Sequence, residues 1–95
     1  MKLPRQVIIL GRKIKIKEGK NLHYNGIPCL GLCDYEKSIV YIEKNQADHT
    51  KLDTLFHELS HYFLTLCGMD QKMSESEVEM HCQLITAFIN DILKI

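Results

Sequence analysis

Charged and apolar residues alternate with period two along Lys13-Ile14-Lys15-Ile16-Lys17-Glu18, the pattern of a strand with one buried face and one wet face. Its lysines face water and would also guard a sheet edge against pairing with another chain. Upstream, Val7-Ile8-Ile9-Leu10 is a short aliphatic run separated from it by Gly11-Arg12. Downstream, Gly19-Lys20-Asn21 and Asn25-Gly26 are turn signals flanking Leu22-His23-Tyr24, and Pro28 leads into the apolar run Cys29-Leu30-Gly31-Leu32-Cys33. A polar connection, Asp34 to Ser38, then reaches Ile39-Val40-Tyr41-Ile42, the best strand by residue type in the chain. The last two runs predict a β-hairpin. Gly31 in mid-strand marks a bulge or a close approach by another backbone.

Beyond the polar link Lys44 to His49 the period changes to that of a helix. Leu52, Leu55, Phe56, Leu59, Phe63 and Leu66 recur at three- and four-residue steps, which predicts an apolar stripe packed on the sheet. Asp48 or Thr50 can cap its start, and Gly68 is a helix stop. Ser74 to Glu77 has the form of a capping box, as does Ser76 to Glu79. A second helix follows to about Leu93, with Val78, Cys82, Ile85, Ile89 and Ile92 as its stripe, Leu84 and Phe88 widening it, and a polar line through Glu75, Glu79, Gln83, Thr86 and Asn90. The expected fold class is α+β, a small antiparallel sheet of three to four strands packed on two helices.

At 95 residues the chain makes one domain, residues 1–95, with a single modest core. Its 45% apolar and 25% charged residues are those of an ordinary globular protein, and 12 basic residues against 12 acidic ones give no electrostatic reason to expect nucleic acid or an acidic membrane as partner. The apolar run at Val7 to Leu10 is too short for a signal peptide or a membrane span, so a cytoplasmic protein is expected. The four cysteines form no disulfide framework and are expected as free thiols, with Cys67 and Cys82 at helical positions suited to small apolar side chains. Cys29 and Cys33, in an extended strand, would stand roughly 13 Å apart, too far to share a metal.

The first helix carries His57-Glu58-Leu59-Ser60-His61, an H-E-x-x-H sequence. Two histidines four residues apart lie on one helix face, nearly opposite the apolar stripe, and their imidazoles can converge on one Zn²⁺. Glu58 points roughly 100° further round, away from that coordination sphere but within reach of a water on such an ion. It is the candidate general base. A catalytic zinc takes three protein ligands and leaves one position open, so the second helix must supply the third. Glu75, Glu77, Glu79 and His81 are the candidates. Glu79 is favoured, because Glu75 and Glu77 suit the cap and the helix dipole.

Phe56-His57-Glu58-Leu59-Ser60-His61-Tyr62, followed by Val78-Glu79-Met80-His81-Cys82-Gln83, resembles the ImmA/IrrE-type zinc metallopeptidases and the small phage-encoded metallopeptidase-like proteins related to them. In that family an H-E-L-x-H helix is followed by one whose glutamate completes the zinc site, often within E-x-x-A/C-N. Glu79, Cys82 and Gln83 match it, with Gln in place of Asn. The resemblance spans roughly residues 39 to 93. It implies a minimal gluzincin-like, zincin-type α+β fold, zinc held by His57, His61 and Glu79, and peptide hydrolysis with Glu58 activating water. A narrow protein or peptide substrate, such as a regulatory protein, is also implied.

Tyr62, His81 and Tyr35 are the side chains that can assist at the oxyanion. Peptide binding along an exposed strand edge is expected, with Ile39 to Ile42 the candidate strand. The competing reading is a zinc-stabilised interaction module that cleaves nothing. It is credible in so small a chain, but it has no use for the carboxylate of Glu58.

Overall fold

The computed structural model describes residues 3–93. Strands β1 (Gln6–Ile9) and β2 (Arg12–Gly19) form a hairpin about Leu10 and Gly11, both at positive φ. The chain then makes a two-stranded ribbon, β3 (His23–Tyr24) with β4 (Ile27–Pro28), before β5 (Gly31–Asp34) and β6 (Ile39–Glu43). Helices α1 (Asp48–Leu66) and α2 (Glu75–Leu93) follow, joined by a 3-10 turn at Met69–Lys72.

The main sheet has the order β1-β2-β6-β5 and is mixed, whereas an antiparallel sheet was expected. The two hairpins are antiparallel, but β2 and β6 pair in parallel, Ile16 beside Val40 and Glu18 beside Ile42. A parallel pair needs a crossover of a dozen or more residues, and the ribbon together with β5 provides it. Two expectations change with this order. The lysine-bearing β2 is an interior strand, so Lys13, Lys15 and Lys17 cover the solvent face of the sheet and guard no edge. Strand β6 is interior too, and β5 is the edge strand beside the helices.

The inward residues of β2 and β6, Ile14, Ile16, Val40 and Ile42, meet Leu55 and Tyr62 of α1 in the core, with Leu52, Leu59 and Leu66 packed alongside. The stripe on α1 is thus rotated from the expected one. Tyr62 enters the core at 1% exposure, while Phe63 is left half-exposed. Leu64 of α1 and Cys82 of α2 are also buried. The helix starts also differ in kind. Ala47 is the N-cap of α1 and gives no side-chain cap bond, so neither Asp48 nor Thr50 plays that part. On α2 the first of the two possible boxes forms, Glu77 N–H donating to Ser74 Oγ at 3.2 Å and Ser74 N–H to Glu77 Oε1 at 3.0 Å. The Ser74 N–H and, after it, the Ser74 hydroxyl donate to the Glu77 carboxylate and hold it below its ordinary range. Cys67, expected in an apolar position, is exposed at the end of α1, and Gly68 follows at positive φ as the helix stop.

Buried Glu43 at the end of β6 ties the crossover down. Its carboxylate accepts the N–H of Leu22 at 3.0 Å and that of Asn45 at 3.1 Å. Gln46 continues the link to α1, donating to the carbonyls of Glu43 and Leu30 and accepting the Thr54 hydroxyl at 3.0 Å. No helix among the described residues is long and apolar enough to cross a membrane.

Candidate metal centre

Helix α1 turns His57 and His61 away from the sheet and toward α2, because the residues that face the strands, Leu55, Leu59 and Tyr62, occupy the other side of the same turns. The two rings meet edge to face with centroids 5.0 Å apart. On α2, the buried Cys82 fixes which face meets α1, and Glu79, one turn nearer the N-terminus, comes opposite the two imidazoles. His57 Nε2 lies 2.8 Å from Glu79 Oε1, and His61 Nε2 lies 3.2 Å from Glu79 Oε2. One carboxylate therefore bridges both rings.

These three residues form the one cluster among the described residues whose donors fit a metal ion, with a ligand atom from each within 4.8 Å of the others. Donors around a tetrahedral zinc with bonds of about 2.0–2.1 Å stand roughly 3.3 Å apart, and the two contacts from imidazole to Glu79, at 2.8 Å and 3.2 Å, are near that spacing. Two imidazole nitrogens and a carboxylate oxygen are also the donor types that zinc takes. The other third-ligand candidates are not brought there. Glu77 is bound up in the capping box with Ser74, the exposed His81 places Nδ1 2.7 Å from the carbonyl of Glu77, and Glu75 lines a cleft with His61 and Glu79 but is outside the cluster of three.

Glu58 stands apart from the cluster, against β5. Its Oε1 and its main-chain carbonyl each lie 3.3 Å from the Cys33 sulfur, whose single S–H can donate to either. The strand can come this close because residue 31 is glycine. A Cβ there would sit 2.7 Å from Glu58 Cγ and 2.7 Å from Thr54 Cγ2, closer than such atoms pack. Gly31 thus marks a close approach, as its place in the strand suggested, but the approach is by side chains of α1. Burial, followed by the neighbouring Glu58 carboxylate, pushes the Cys33 thiol pKa well above its ordinary value.

Two clefts flank the cluster. One, of about 740 Å³, is lined by His57 and Glu58 together with Gly31, Thr54, Gln83 and Asn90. The other, of about 430 Å³, is lined by His61 and Glu79 with Tyr35, Thr65, Asp70 and Val78. Of the three possible helpers, Tyr35 adjoins this second cleft and packs against Tyr62, with ring centroids 4.9 Å apart and the ring planes tilted by 52°. Burial raises the Tyr35 pKa above its usual value. Tyr62 is in the core, with its hydroxyl buried and unpartnered among the described residues. The contact of Cys33 with Glu58 is not legible in the sequence, because a strand far from α1 carries no periodic signal of what it will face.

Comparison of the chain with protein-family models, with curated proteins and with solved structures gave no match.

Proposed function

We propose that the chain is a zinc-dependent metallopeptidase of the ImmA/IrrE type, with His57, His61 and Glu79 as metal ligands and Glu58 as general base. The observation that carries this reading is the division of labour between two glutamates: Glu79 bridges both imidazoles, while Glu58 is held off by Cys33 and lines the same cleft as His57. A structural metal site has no use for that second carboxylate.

A divalent ion at these ligands would supply Lewis acidity for the scissile carbonyl and lower the pKa of a water molecule. Glu58 accepts the proton of the attacking water and returns it to the leaving amine, so the amide bond breaks as a carboxyl group and an amine form. The Cys33 thiol, donating to one oxygen of Glu58, orients the carboxylate while the other oxygen remains for the proton. Tyr35, which lines the cleft of His61 and Glu79, is the hydroxyl proposed to donate to the developing oxyanion. The peptide would lie along β5, whose outer edge has no strand partner among the described residues, and a narrow protein substrate suits so small a domain.

The test is Glu58→Gln assayed on peptide libraries and candidate regulatory proteins. The variant should keep its metal and lose nearly all hydrolysis. Full hydrolysis by Glu58→Gln would remove Glu58 from the mechanism, and metal binding with no cleavage by the unaltered chain would leave the zinc-stabilised interaction module.

A further inference from the structure

Helix α2 carries more apolar surface than the fold buries. The sequence pattern assigns Ile92 to its core stripe with Leu84 and Phe88 beside it, yet Met80, Leu84, Phe88 and Ile92 are 50%, 61%, 65% and 50% exposed. At four-residue steps they form one line along the helix. Beside the line is a hollow of about 500 Å³ walled by Ile9, Phe56, Leu59, Phe63, Ile85 and Ile89, with Ser60 as its polar member. Half of a large apolar side chain is about 100 Å², so this line with the half-exposed Phe63 and Leu93 offers on the order of 600 Å². That is the top of the range for a monomer's largest patch and most of the roughly 800 Å² that each partner gives to a standard interface.

We infer that this face joins two copies of the chain in a twofold dimer, α2 packed antiparallel on α2. The argument for a second copy is that the line complements itself. Centred between Leu84 and Phe88, an antiparallel pair sets Leu84 against Phe88 of the second copy and Met80 against Ile92, each contact occurring twice by symmetry. The same register keeps like charges apart, with Asp91 opposite His81, whereas a parallel pair would set Asp91 against Asp91 and Glu77 against Glu77. The metal-type cluster is where α2 faces α1, not on this outward line, and the inference does not depend on the proposed activity.

Sedimentation equilibrium from low to high micromolar concentration tests it. The expected result is a mass twice the 11.1 kDa of one chain at the upper end. Phe88→Glu and Leu84→Glu, at exposed positions that leave the fold and its circular dichroism unchanged, should each weaken the dimer by about a hundredfold or more, while Ile27→Glu on the exposed ribbon should leave it intact. A single-chain mass at every concentration would overturn the inference, as would a dimer that survives both α2 substitutions.

Discussion

Gly31 and Glu58 are in such close contact that a single added methyl group would occupy the space of the Glu58 side chain, 2.7 Å from its Cγ. The edge strand and the helix are therefore fitted to each other at the carboxylate proposed as the base. Gly31→Ala should force β5 away from α1 or swing Glu58 from its place, at a cost of about 1–3 kcal/mol. Urea unfolding measures it. A loss below the resolution of that measurement would mean that strand and helix adjust freely, and that Glu58 is not held by packing.

Thiol reactivity reports the same neighbourhood. Burial and the carboxylates of Glu79 and Glu58 push the Cys82 pKa up to about 11, and Cys33 is raised further by burial and Glu58. A raised pKa means less thiolate at any given pH and slower alkylation. Mass spectrometry after brief alkylation at mild alkaline pH should find the exposed Cys67 modified first, with Cys33 and Cys82 modified only after denaturation. Early labelling of Cys33 would contradict its contact with Glu58.

Much of this arrangement was legible in the chain. The period-two run at Lys13 to Glu18 and the β-branched run at Ile39 to Ile42 give the two central strands, and the period change after His49 gives α1. The H-E-x-x-H spacing and the polar line of α2 point to His57, His61 and Glu79, and the structure sets both histidines in contact with the glutamate. What pattern does not encode is pairing. Whether β2 meets β6 in parallel depends on the path of the chain between them, and so does the choice of β5 as the edge strand. The burial of Tyr62 in place of Phe63 was likewise hidden, because a small rotation of α1 decides between neighbouring positions that are both aromatic.

Tyr62 carries a hydroxyl with no hydrogen-bond partner among the described residues, deep in the core. Burying an unpaired hydroxyl costs about 1–3 kcal/mol, so Tyr62→Phe should be as stable as the parent or more so, with metal binding unchanged. Differential scanning calorimetry checks the first and metal analysis the second. A marked loss of stability would show that the hydroxyl has a partner in solution.

Glu43 predicts a pH effect. The N–H groups of Leu22 and Asn45 hold its carboxyl below the ordinary value, so its folded pKa lies below its unfolded one. The stabilisation is present above the unfolded carboxylate pKa, about 4.3, and is lost as pH falls through the folded value. Glu43→Gln should therefore be less stable than the parent at neutral pH, with the gap closing in acid. Denaturant midpoints measured across that range decide it, and a gap that widens in acid would contradict the assignment.

The most direct test of the metal centre is the metal content per chain, by elemental analysis of the protein and of Glu79→Ala after zinc is supplied and the excess dialysed away. One zinc per chain in the parent and a large loss in the variant is the predicted result. No bound metal in the parent would contradict it, leaving His57, His61 and Glu79 as two imidazoles bridged by a carboxylate and nothing more.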